Sequence, residues 1–410
     1  MPTNKPATVI DPFHRIVWPL AVAETLIWAA IYYVFPALLL EWERDLGWTK
    51  TELSGAFTSA LIVSALMAPI VGRLIDRGNS LISFTGSAIF AACLLILLSF
   101  VQAQWQFYVI WILLGVAMSG SLYEACFSVL THTMGNRSRQ SITIVTLVAG
   151  FAGTLSFPGN HYLVGLMGWR STMWVLAGII LFIVVPLIWL GTQTALAYRA
   201  DNKKDVVQPS GEPEAKHSVS LVRNGTFWLL AIGFAAVALD HGMLLTHLLP
   251  LLDERGITSG QAVFAASMIG PMQVTGRLMM LAFEKRVSSI GIFAACYIAL
   301  GLAAISLLGA TYLPLLLISF VFFQGAGAGV TSIMRPVVVA ELLGRQNFGL
   351  IAGFLAMPFL IGAALAPTIA AIIWGFGGYD LVIWFAVGAS IIGLAALLGA
   401  ATLSEQAKTS

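Results

Sequence analysis

The chain has 410 residues, of which 59% are hydrophobic and only 10% charged, where soluble domains carry about 25%. Its formal net charge is +2, from 21 Lys and Arg against 19 Asp and Glu. This composition excludes a soluble globular domain and a polybasic nucleic-acid binder, and it describes a protein immersed in a membrane.

Residues 1–15 are polar and mixed in charge. The apolar run that follows is too long for a signal-peptide core and has no small-residue cleavage site, so no cleavage is expected. Crossing the hydrocarbon takes roughly 20 apolar residues. On that rule the first half divides into spans at 16–40, 51–74, 80–102, 105–132, 140–166 and 170–193. Span 1 holds Glu24, with Trp28 and Tyr32 one turn apart beyond it, so the three share a helix face. Tyr33 and Phe35 crowd the same span. Between spans 2 and 3 the stretch MAPIVGRLIDRGNS halts the apolar run with Arg73, Asp76 and Arg77, and span 4 carries Tyr123 and Glu124.

Residues 194–225 are rich in charge, Pro, Gly and Ser, with no apolar period that could bury a core, and read as a soluble linker. The second half gives spans at 226–251, 259–283, 288–309, 312–342, 347–375 and 379–403, then a short tail, 404–410. Span 7 carries Asp240, His241 and His247, span 8 carries Gln273 and Arg277, and span 10 carries Arg335. Cys93, Cys126 and Cys296 lie far apart inside apolar runs, a spacing that suits small core hydrophobes rather than a metal site or disulfide framework. No cofactor is expected.

A single offset of 209 residues pairs Gly47 with Gly256, Gly120 with Gly329, Gly135 with Gly344, Pro158 with Pro367 and Gly168 with Gly377. The chain is therefore expected to be an all-α membrane protein of two six-helix bundles, 16–193 and 226–403, related by parallel duplication. Of the 21 Lys and Arg, 15 fall on one side, only Arg44, Lys50, Arg170 and Arg255 fall on the other, and Arg277 and Arg335 stay within spans. That bias puts both termini and the linker in the cytoplasm.

The run Gly72-Arg73-Leu74-Ile75-Asp76-Arg77-Gly78 resembles the G-x-L-x-D-R-x-G signature of the major facilitator superfamily. The resemblance covers nearly the whole chain. It implies that Gly72, Arg73, Asp76 and Arg77 form a cytoplasmic gate, with Asp76 facing the start of span 11 near Asn347, where an acid favours the positive end of a helix dipole. Here Gly78 comes one position early, and Asn79-Ser80 replace the usual basic residues. Within the superfamily, Gly47-Trp48-Thr49, Phe157-Pro158, Gly168-Trp169-Arg170, Gly270-Pro271-Met272-Gln273, Arg277 and Arg335 resemble the bacterial monocarboxylate-transporter group that includes the oxalate:formate antiporters. Span 5 lacks the Gly-Pro pair of drug:proton antiporters, which argues against multidrug efflux. The resemblance implies an inner-membrane secondary carrier of a small organic anion, proton-coupled and working as a monomer by alternating access.

Ionisable groups inside spans cost several kcal/mol unless paired or wetted, so each is a functional candidate. In the family fold spans 1, 4, 7 and 10 line the central cavity, which places Glu24, Glu124, Asp240, His241 and Arg335 there. Glu24, Glu124, Arg277 and Arg335 lie seven to nine residues from the cytoplasmic ends of their spans, in one layer about 12 Å deep. The register of 209 keeps Arg277 inside span 8 rather than in a second loop latch. In the resembling family an arginine on this helix binds the substrate carboxylate, with an acid four positions earlier; here Gln273 takes that place. A guanidinium fork suits a carboxylate. The alternative is that Glu124 pairs with Arg335 and Glu24 with Arg277 as braces between the halves.

Arg277, Arg335, Trp28, Tyr32, Tyr123 and Gln273 are thus the expected substrate contacts, and Asp240, Glu24, Glu124 and His241 the expected proton-coupling groups. His247, near a helix end, reads as a satisfied polar residue, and His132 and His161 receive no role. Trp28, Tyr32 and Tyr123 also keep a larger aromatic or heterocyclic cargo open, such as a vitamin like riboflavin. No H-E-x-x-H, G-x-S-x-G or nucleotide loop is present, so an enzyme is not expected. A sensor that kept a carrier fold without transport is the remaining alternative.

Overall fold

In lipid every backbone N–H and C=O must be satisfied within the protein, and a helix does this within one segment. The computed structural model describes residues 12–134, 137–201, 224–310, 312–313, 315–344 and 348–409, and among these every regular element is helical. The side chains of Pro12, Asp76, Arg139, Asp201 and residues 348–350 and 407–409 also lie outside the description. The N-terminal segment, most of the linker, Gly135, Arg345 and Asn347, on which several expectations rest, lie outside the described residues.

In the first half the helices are α1 (Pro12–Ile27), α2 (Val34–Leu46), α3 (Lys50–Leu74), α4 (Ser80–Leu98), α5 (Gln104–Ser121), α6 (Tyr123–Met134), α7 (Ser138–Ala149), α8 (Ala152–Ile179) and α9 (Val185–Asp201). The second half contains α10 (Gly225–Thr246), α11 (Leu248–Glu254), α12 (Ser259–Phe283), α13 (Ser289–Gly309), α14 (Leu315–Leu342) and α15 (Phe348–Thr409). Nine helical segments of the described residues are long and apolar enough to cross a membrane. Single π-type turns at Trp28–Tyr32, Ile75–Asn79 and Ile180–Val184 link α1 to α2, α3 to α4 and α8 to α9.

Two long helices are each a pair. Helix α8 breaks at Gly168, whose φ of 76° favours glycine. Ser156 bonds the Ala29 carbonyl, Trp169 bonds Asp45, and Gly191 packs on Leu20 and Ile16, so α8 runs beside α2 as far as Gly168 and the chain then returns beside α1. Helix α15 breaks at Gly377 and Gly378, the latter at φ 66°. Its two arms fold together, since Ile351 and Leu355 share a buried cluster with Leu397 and Ala400.

The duplication shows in geometry as well as in residue type. Gly47 and Gly256 both end helices with φ near 70°, at 69° and 72°. The breaks at Gly168 and Gly378 are offset by one residue from the expected Gly377 partner. One buried apolar cluster is drawn wholly from residues 13–195, and two others from the second half, with Ala37 and Phe157 reaching across. At the Gly47 end the halves are tied: Arg44 Nη2 holds both Asp253 carboxylate oxygens at 2.8 Å, Lys50 Nζ sits 3.9 Å over the Trp374 ring, and Thr368 donates to Thr58 at 2.8 Å.

Candidate functional site

The polar groups inside the bundle separate into an N-half cluster, a cation facing it, and a second polar string deep in the C half. Glu24 on α1 is fully buried; its Oε2 accepts from Trp28 Nε1 at 3.1 Å and its Oε1 has no partner. The π turn after α1 adds one residue to the coil, so both Tyr32 and Tyr33 come under Trp28, with centroids 4.9 and 6.4 Å away. Tyr123 at the start of α6 meets Trp28 from the other side at 4.7 Å and stacks on Phe127. Glu124, one residue on, lies within electrostatic reach of Glu24 and keeps water-exposed surface. Two carboxyl groups and four large rings therefore share one wall.

Arg277 faces that wall from α12. Its Nε donates to the Gly329 carbonyl at 3.0 Å, and its Nη2 lies 3.5 Å from Ser332 Oγ, so α14 holds the guanidinium in place. Tyr33 and Tyr123 of the first half lie within its electrostatic reach. Gln273 sits half-buried one turn earlier, and its backbone backs onto Gly329. Among the described residues no carboxylate pairs with Arg277 or with Arg335, so neither brace that the sequence allowed, Glu24 with Arg277 or Glu124 with Arg335, is formed.

Arg335 does not join the Arg277 group. Its guanidinium lies 3.5 Å over the Phe359 ring, turned toward α15, and its Nε has no partner. The layer expected from depth alone therefore splits, because residues at equal depth on different helix faces do not meet.

Asp240 on α10 is fully buried and accepts from Ser390 Oγ at 2.8 Å. The side chain of Gln324 on α14 lies against it and reaches His241 Nδ1 at 3.2 Å. His247 is buried with both ring nitrogens bonded, to Tyr379 Oη at 3.1 Å and the Pro367 carbonyl at 2.9 Å, which is a structural role. Arg73 and Arg77 are exposed at the other end, around Gly78 at φ 90°; the partner expected for Asp76, Asn347, lies outside the described residues.

The Major Facilitator Superfamily model matches residues 20–315, most of the chain. The chain belongs to the Major Facilitator Superfamily. It is an integral, multi-pass membrane protein of a transporter family. The chain is 25% identical over 372 residues to a chloramphenicol resistance protein of Streptomyces lividans, covering 83% of this chain and 84% of that one. It shares its fold with a bacterial homologue of the human lysosomal transporter Spinster, solved in an inward-facing, occupied conformation. That match has a TM-score of 0.61 and 14% identity, and covers 98% of both chains.

Four residues that the sequence reading gave no site role stand in this superfamily member's polar sites: Tyr33, Ser332, Gln324 and Ser390. A search for charge alone passes over them, since neutral polar side chains in apolar helices give no signal of sign. Gln324 was nonetheless findable, as an amide flanked by Phe322, Phe323 and Gly325 in an otherwise apolar helix.

Proposed function

We propose that this superfamily transporter is a proton-coupled secondary carrier for a small organic anion, working by alternating access between the bundles 16–193 and 226–403. Its twelve passages are the nine apolar segments with 140–200 and 351–406 each counted as two, together with α12. Both termini then lie in the cytoplasm, with residues 194–225 as a cytoplasmic linker and Gly72, Arg73, Asp76 and Arg77 at the gate there. The one observation that carries the reading is Arg277, a guanidinium between the halves with two donors tethered and, among the described residues, no carboxylate partner. A solute carboxylate completes it by a charge-assisted pair. Trp28, Tyr32, Tyr33 and Tyr123 give the solute an aromatic wall, and Gln273 and Arg335 flank the route. Glu24, Glu124 and Asp240 with His241 supply carboxyl groups that pair with no cation among the described residues, as proton carriers require.

A thermal-shift screen of purified protein against monocarboxylates, dicarboxylates, aromatic acids and flavins selects the solute. In proteoliposomes Arg277→Ala and Asp240→Asn each abolish uptake driven by a pH gradient while the protein stays folded in detergent. Full uptake by both variants overturns the assignment. A ligand that binds but never crosses decides for a sensor.

The packed rings around Trp28 favour a second reading, an aromatic solute without an obligatory carboxylate. The resemblance to a chloramphenicol resistance protein supports it and makes export the direction to test. It weighs against the inference drawn from the missing Gly-Pro pair. Stabilisation by chloramphenicol but by no carboxylate, together with resistance conferred on a sensitive host, selects it.

A further inference from the structure

Four buried polar groups string across the C half from α15 to the helix interface. Ser390 donates to Asp240 Oδ2; Gln324 lies against the Asp240 carboxyl; Gln324 Nε2 meets His241 Nδ1. Ser390, Asp240 and Gln324 are all at most 2% exposed, while His241 is half-buried. The bonding is incomplete in a particular way. Asp240 Oδ1 and Gln324 Oε1 are both buried acceptors without partners. A buried acceptor without a donor is costly. A proton on Asp240 Oδ1 turns one of the two into a donor, and Gln324, whose side chain lies against Asp240, brings Oε1 to it when its amide is suitably turned.

We propose that Gln324 is a two-position amide switch that carries the protonation state of Asp240 to His241. An amide offers an acceptor oxygen at one end and a donor NH2 at the other, in nearly the same shape. With Asp240 protonated, its O–H donates to Gln324 Oε1, Nε2 donates to His241 Nδ1, and the ring proton sits on Nε2, so the ring shows an N–H donor at its free edge. With Asp240 ionised, the amide turns over, Nε2 donates to the carboxylate, Oε1 accepts from His241 Nδ1–H, and the free edge becomes an acceptor. The states differ by one proton, released from Asp240 to water, one amide rotation, and a ring proton that moves from Nε2 to Nδ1 by exchange at the half-buried edge. The inference rests on the proton-coupled reading above and adds how Asp240 is read out.

The surroundings isolate the string. Of the helices packed on α10, α15 contributes Ser390, and α14 contributes Gln324. Helix α13 brings the Tyr297 hydroxyl against Gly233, two turns from Asp240. The charges of α2, Glu41 to Asp45, lie at the Gly47 end, and His247 between α10 and α11 is occupied by Tyr379 and Pro367. Arg277 on α12 faces the first half. No cation lies against Asp240 among the described residues, so its own proton is the group that changes.

Infrared and nitrogen NMR spectroscopy of the full-length protein in lipid test this without any solute. The wild type shows a carboxylic-acid C=O component that Asp240→Asn removes, leaving the components of Glu24 and Glu124 in place. It also shows a change of His241 tautomer over the pH range in which the Asp240 component disappears. Gln324→Leu keeps that component, at a higher frequency because its acceptor is gone, and loses the tautomer change. Should Asp240→Asn fail to fold, the wild-type band and tautomer, titrated together, carry the test. A wild type with no carboxylic-acid band sensitive to Asp240, or a His241 tautomer that titrates independently of it or survives unchanged in Gln324→Leu, overturns the switch. Flux through Arg277 is a separate measurement, so loss of the switch leaves the anion site standing, and loss of the anion site leaves the switch standing.

Discussion

Arg277 and His247 are both polar residues on apolar helices, and their surroundings separate them. Each nitrogen of the His247 ring has a partner, Tyr379 on one side and the Pro367 carbonyl on the other. His247→Leu leaves both partners buried and unsatisfied and lowers stability by about 1–3 kcal/mol. His247→Gln recovers part of that loss, and denaturant titration in detergent measures both. Arg277→Ala, whose guanidinium is partly water-exposed, leaves that stability nearly unchanged while removing solute binding. A histidine variant that loses transport at full stability would contradict this division. Counting along the sequence placed Arg277 inside a span and His247 near a helix end, but the Glu24 to Trp28 bond and the Gln324 string depend on rotamer and helix face, which spacing does not encode.

At the scale of elements, the small residues of the two halves do the same work. A Cβ at Gly115 on α5 would strike the Ala60 backbone of α3, and one at Gly325 on α14 would strike the Ile269 carbonyl of α12, where Ala60 and Ile269 are paired by the repeat and the glycines are one residue off it. Helices approach this closely only where a side chain is missing. Gly115→Val and Gly325→Val are each expected to cost about 1–3 kcal/mol by overpacking. Gly165→Ala, whose Cβ meets open space, leaves stability unchanged or slightly raised. Thermal unfolding of the three variants checks the ordering, and equal losses would remove the argument. The π turn at Trp28–Tyr32 had no sequence signal, since its five residues fit an α-helix equally well; packing of Trp28 against Tyr123 and Glu24 accompanies it.

Across the whole molecule the seal at the Gly47 end combines symmetry with reversed charge. Asp45 binds Arg170 within the first half, and Arg255 binds Asp380 within the second, each one residue beyond its place in the 209-residue register and with the signs exchanged. Arg44 and Asp253, 209 residues apart, then join the halves. An exposed pair of this kind contributes about 0.2–1 kcal/mol, enough to shift two closely balanced conformations by a factor of about 1.4 to 5. Arg44→Asp opens this end, and Arg44→Asp with Asp253→Arg closes it again. Labelling of a cysteine placed between the halves by an impermeant maleimide reads the change, in a Cys93→Ser background because Cys93 is exposed. Labelling that does not respond to the single reversal would show that the apolar contacts alone hold the seal.

Sequence by itself determined the solvent, the helical class, the duplication and the family, because each is a property of composition or of residues repeated at fixed spacing along one dimension. It also named Glu24, Asp240 and Arg277, because charge in an apolar helix is visible without coordinates. Tertiary structure alone decided which of these groups meet. It set Arg335 against Phe359, left Arg277 without an acid, and joined Asp240 to His241 through Gln324. The reason is geometric: depth along a helix follows from counting residues, whereas the direction a side chain takes, and the neighbour it finds there, follow from how the helices are rotated and packed.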